Sequence, residues 1–114
     1  MARAKKTAFK PWETKNADGI EKRYIRLGVT QMSSERMRKL SSSAFKIYCY
    51  MKIEAGGNKQ FKFPHNKYAS YATKPTFFRA LKELEQNGFI DIVQRNGNLR
   101  MSNIYSFSDR WKQL

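Results

Sequence analysis

The chain has 114 residues, 40% hydrophobic and 14% aromatic, with 23 Lys and Arg against 9 Asp and Glu, giving a net charge of +14 and a pI near 10.2. That suffices for one domain with a modest core, and the apolar and aromatic share argues against a disordered chain. No apolar run approaches the length of a bilayer span, and the N-terminus MARAKKTAFK lacks the apolar stretch of a secretory signal. The single cysteine, Cys49, cannot form an internal disulfide, so a reducing cytoplasm is the expected location.

The positive charge is spread along the chain. Residues 1–29 hold eight basic and three acidic side chains, residues 30–60 six and two, and residues 61–114 nine and four. The folded part is therefore itself cationic. Such a body favours a polyanionic partner, nucleic acid before a membrane surface. No membrane association and no small-molecule substrate are expected.

In chain order, residues 1–23 read as a flexible basic arm and residues 24–114 as the folded domain. In the arm, Arg3, Lys5, Lys6 and Lys10 stand among small residues, and residues 15–19 are turn-rich. Phe9 and Trp12 leave two options open, docking onto the body or a mobile arm adding phosphate contacts. Tyr24 to Val29 is a short extended candidate. Ser33 to Leu40 offers a serine cap followed closely by Glu35, which predicts a short helix. Another helix starts at Ser41 or Ser42 and runs to the breaker Gly56-Gly57-Asn58, with Ala44, Phe45, Tyr48, Met51 and Ala55 on its core stripe. Ile47 and Tyr50 lie off that stripe, placed to pack on the N-terminal segment or a second subunit. Cys49 reads as a small buried hydrophobe.

Phe61-Lys62-Phe63 alternates as a short strand does. Pro64 then opens a short helix from His65 to about Tyr71, with Tyr68 and Ala69 turned inward. Ala72-Thr73-Lys74 forms a turn into the most readable element, Thr73 to Asn87. Thr73 can cap it, Pro75 sits in the first turn where a missing N–H costs nothing, and Gly88 falls where a left-handed cap belongs. Phe77, Ala80, Leu81 and Leu84 recur at i, i+3, i+4, i+7 and share one face. Thr76, Arg79, Lys82, Glu83 and Gln86 lie on the opposite side. Two helices joined by three residues make a helix-turn-helix. Phe89 to Arg95 and Asn98 to Phe107 then flank Asn96-Gly97, the strongest short hairpin signal, because a type I′ turn needs positive φ at both central residues. Trp111 is expected to seal one end of the core.

The order helix, helix, strand, helix, turn, helix, strand, Asn-Gly tip, strand resembles a winged helix-turn-helix domain. The residues carrying the resemblance are NKYASYATKPTFFRALKELEQNGFIDIV, the RNGN tip and NIYSF, and it covers roughly residues 30–112. More narrowly, LSSSAFKIYCYM and SNIYSFSDRWK are similar to small bacterial helix-turn-helix proteins of plasmids, phages and integrative elements, including DNA-binding parts of replication initiators. The resemblance implies a mainly α fold with a small antiparallel β-hairpin (α+β). It also implies sequence-dependent binding of double-stranded DNA in transcription control or replication, in a bacterial cytoplasm on nucleoid or plasmid. Residues 73–87 would then lie in the major groove, with Thr76, Arg79, Lys82, Glu83 and Gln86 toward base edges. Asn66, Lys67 and Lys74 would approach phosphates, and the tip residues Arg95, Asn96, Asn98 and Arg100 would follow the flanking backbone or minor groove. Phe78, at the edge of the apolar face, would pack under the wing or touch a thymine methyl.

No enzyme is built from these residues, and no cofactor is expected. One histidine and one cysteine cannot make a His/Cys zinc site, there is no phosphate-cradling glycine loop, and the tyrosines lack a histidine pair to hold a metal for nicking. Two other readings remain open: a winged-helix module that binds a protein partner, and single-stranded nucleic-acid binding through exposed aromatics. A homodimer on paired half-sites is a further option, through residues 42–55 or the arm.

Overall fold

Hydroxyl caps set where the main helices begin. In the computed structural model, which describes residues 23–96 and 101–113, the Oγ of Ser34 accepts from the Met37 N–H to start a helix at Glu35–Lys39 (α2). Ser41 does the same for Ser42–Ala55 (α3) through the Ala44 N–H, and Thr73 for Lys74–Gln86 (α5) through the Thr76 N–H. Each cap satisfies a backbone donor that the first helical turn leaves without a partner. Two one-turn helices, Val29–Met32 (α1) and His65–Tyr68 (α4), complete the five helices of the described residues.

The ends are as clearly written. Gly56, at φ 58°, closes α3, and Gly88, at φ 81°, closes α5. At the second end the Gly88 N–H donates to the Glu85 carbonyl (3.1 Å) and the Phe89 N–H to the Leu84 carbonyl (3.0 Å). This paired return is the left-handed helix stop that glycine adopts without a Cβ penalty.

Three short strands, Gln60–Lys62 (β1), Ile90–Gln94 (β2) and Ile104–Phe107 (β3), form an antiparallel sheet in the order β1-β3-β2. Phe61 faces Tyr105 across one ladder, and Ile92 faces Tyr105 across the other. The fold is thus α+β, mostly helical with a small antiparallel sheet. Its core gathers Ala44, Ile47, Tyr48 and Met51 of α3, the inner face of α5, and the aromatics Phe61, Phe63, Tyr68 and Phe89. Ring stacking organises much of it: Tyr68 lies parallel to Phe77 at 3.8 Å, and Phe63 contacts both. Trp111, in a 3-10 turn at Arg110–Lys112, stacks on Phe89 and covers that end, as expected. Burial raises the pKa of the Tyr48 hydroxyl, partly offset by the hydrogen bond it accepts from Gln31 (2.8 Å).

Several expectations are corrected. Residues 23–28 form no strand, and Val29 opens a helix; among the described residues no strand lies beside that segment to give it a ladder. Ile47 is 1% exposed and belongs to the core, while Phe45 is only partly buried. Tyr50 is half-buried because it stacks face to face on Tyr71, at 3.5 Å. Cys49 is only half-buried. The α4 helix stops at Tyr68, and Ala69 is exposed, so the link to α5 is longer than the three residues expected. Among the described residues the last pair of the hairpin ladder is Gln94 with Ile104, after a register irregularity at Ile92/Gln94, and the Asn-Gly turn expected at Asn96-Gly97 runs outside the described residues. The arm at residues 1–22 and the tip residues Asn98 and Arg100 lie outside the described residues.

Candidate nucleic-acid interface

The amphipathic spacing of α5 translates directly into burial. Phe77, Ala80, Leu81 and Leu84 are each 5% exposed or less. The opposite face presents Lys74, Phe78, Arg79, Lys82 and Gln86 to solvent. Arg79 reaches back to the Thr76 hydroxyl (3.4 Å), and Thr76 in turn touches the capping Thr73 hydroxyl (3.1 Å). Among the described residues Lys74, Arg79 and Lys82, three cations on a helix whose back is fixed, have no carboxylate partner.

The carboxylates of the same helix are otherwise engaged. Glu83 turns toward the start of α3, where its two oxygens accept from the Ser41 backbone N–H and from the Ser41 Oγ, the latter at 2.8 Å. It therefore does not stand free for base contacts as the resemblance implied. Ser41, Ser43, Thr76, Arg79, Ala80 and Glu83 line a shallow cleft between the two helices. Glu85 lies 4.0 Å from Arg95, an exposed pair of small energetic weight.

The remaining predicted residues are placed as follows. Asn66 and Lys67 are exposed on α4, and Lys67 lies 3.7 Å from Glu54, so it is partly neutralised. Arg95 is exposed beyond the end of β2. Asn96 is 2% exposed and is not a surface group. Its N–H donates to Asn103 Oδ1 (2.8 Å) and its amide nitrogen to the Ser102 carbonyl (2.9 Å), so its polar atoms hold the base of the hairpin loop. Phe78 is 54% exposed, in edge contact with Phe77 and not under the hairpin.

A second clamp was invisible to sequence reasoning. Arg110 donates from Nε to Asp91 (2.8 Å) and from Nη2 to the carbonyls of Glu85 and Ile90 (both 3.0 Å). It ties the last turn of α5 to β2, placing a cation at the C-terminal end of the helix, where the helix dipole favours one. Only its spacing from Asp91, 19 residues away, links the two in sequence, and no local pattern encodes that.

No protein-family model matches this chain, and neither a curated protein nor a solved structure matches it significantly. Among the described residues no helix is long and apolar enough to cross a membrane.

Proposed function

We propose that this chain is a winged helix-turn-helix protein that binds double-stranded DNA, with α5 in the major groove and the β2–β3 hairpin as the wing. The observation carrying this reading is the face of α5: Lys74, Arg79 and Lys82 exposed without a carboxylate partner among the described residues, opposite a fully packed back. The element order and the pairing of β1 with the outgoing strand of the hairpin support the winged arrangement. A +14 chain supplies the nonspecific attraction to phosphate, and Arg79 and Gln86 supply donors suited to guanine and adenine edges. Regulation of transcription, or replication of a mobile element, is the setting consistent with the sequence resemblance.

The test is a salt titration of duplex binding followed by selection of sites from a random duplex pool. Binding to generic duplex that falls steeply as salt rises, with a recovered consensus, is the expected outcome. Absence of duplex binding at low salt overturns the reading. It would leave a protein-partner role, favoured by Phe78, whose ring is 54% exposed beside the cationic face.

A further inference from the structure

A carboxylate in the middle of a cationic, DNA-facing helix calls for an explanation. Glu83 is not a loose surface group. Its two oxygens are held by the backbone N–H and hydroxyl of Ser41, 42 residues away in sequence, which fixes the charge in the cleft between α3 and α5. Thr76, Arg79 and Ala80 line the cleft from α5 beside Glu83, and Ser41 and Ser43 line it from α3. Any phosphodiester chain crossing α5 toward α3 would meet this anion at close range.

We propose that Glu83 is a specificity-determining residue of the α5 face: a fixed carboxylate that repels the DNA backbone from the α3–α5 cleft, lowering nonspecific affinity and sharpening sequence discrimination. The inference rests on the DNA-binding reading above. Two like charges brought within about 4 Å repel by about 1 kcal/mol even at the dielectric of water, which is about fivefold in affinity. Repulsion of this kind penalises every register of the duplex in which a phosphate stands against Glu83 and spares one in which base edges do. Discrimination by a repulsive element is a general route to specificity.

The substitution Glu83→Gln isolates the charge. A glutamine Oε1 still accepts from the Ser41 N–H, and its Nε2 donates to the Ser41 hydroxyl, so the helix junction is kept. Fluorescence anisotropy of the full chain would be measured with a random-sequence duplex and with a duplex selected from a random pool. E83Q is expected to bind the random duplex about fivefold to tenfold more tightly, with a smaller ratio of selected to random affinity. Glu35→Gln on α2 makes the same change in net charge away from the cleft and is expected to stay within about twofold of the unsubstituted protein. Ser41→Ala, which keeps the carboxylate and the backbone N–H, is expected to do the same. Ser43→Glu adds an anion at an exposed cleft position and is expected to weaken random-duplex binding; it keeps the test alive should E83Q fail to fold. Equal effects of E83Q and E35Q, an S41A effect as large as that of E83Q, or unchanged binding in S43E would overturn the proposal while leaving the DNA reading intact. Failure of the unsubstituted protein to bind duplex at low salt would overturn both.

Discussion

The helices α3 and α5 are nearly equal in length, begin on hydroxyl caps and end at glycines of positive φ, yet they have different surroundings. α3 packs against α5 and against β1: Ala44, Ile47, Tyr48, Met51 and Ala55 are buried, Phe45, Cys49 and Lys52 beside them are half-buried, and Tyr50 is covered by Tyr71. α5 buries a stripe of the same width, but beside it only the polar Thr76, Glu83 and Glu85 are half-buried, and Lys74, Phe78, Arg79, Lys82 and Gln86 are exposed. A helix enclosed by neighbours serves stability; a helix packed on one side has a surface to offer. The division of labour follows from what flanks the buried stripe, mainly apolar side chains on α3 and mainly polar or charged ones on α5.

The largest test of this division is in the core that both helices share. Phe77→Ala removes the ring stacked on Tyr68 and in contact with Phe63, and is expected to cost about 3–5 kcal/mol by chemical denaturation. Ile47→Ala follows at about 2–5 kcal/mol, since Ile47 is 1% exposed on α3. If Ile47→Ala is neutral, the burial of this position is mistaken and the role of α3 as the enclosed helix goes with it.

On the open face of α5 the same kind of truncation should act on binding alone. Arg79→Ala is expected to weaken binding to a selected duplex by about 1–3 kcal/mol while leaving the unfolding midpoint unchanged. Lys82→Ala, if Lys82 meets a phosphate, should lower affinity across all sequences and reduce the salt slope by about one unit. A loss of stability in Arg79→Ala, or no change in binding for either variant, would break the comparison from the α5 side.

This contrast also governs what the sequence disclosed. The stripe Phe77, Ala80, Leu81, Leu84 was legible because one-sided packing obeys the helical period, and the exposure of Lys74, Arg79, Lys82 and Gln86 follows from the same period. Ile47 was misplaced because the stripe was drawn through Phe45; three residues after Ala44 and four before Met51, Ile47 lies on the buried face and Phe45 at its edge. The Asn-Gly pair pointed to the hairpin, whose ladder follows the registration of Ile90 with Phe107 and Ile92 with Tyr105 in the core. The inward turn of Asn96 was not legible, because its N–H and amide bond Asn103 and Ser102 across the hairpin. The Glu83–Ser41 and Arg110–Asp91 contacts join residues far apart in sequence, so no periodicity announces them.

The smallest expected effects on stability lie at the two caps. Ser41 Oγ accepts from the Ala44 N–H at 3.1 Å and also donates to Glu83, so Ser41→Ala loses a cap and one strand of the α3–α5 junction. Thr73 Oγ1 accepts from the Thr76 N–H at the longer 3.4 Å and otherwise contacts only the Thr76 hydroxyl. Cap removal costs about 0.5–2 kcal/mol, so Ser41→Ala is expected toward the upper end and Thr73→Ala toward the lower. A double substitution of Ser41 and Glu83 separates the two contributions, because the residual cost of Ser41→Ala in a Glu83→Ala background is the cap alone. Should Thr73→Ala prove the costlier change, the start of α5 is held more firmly than the start of α3, and the helix with the free face would also be the better anchored of the two.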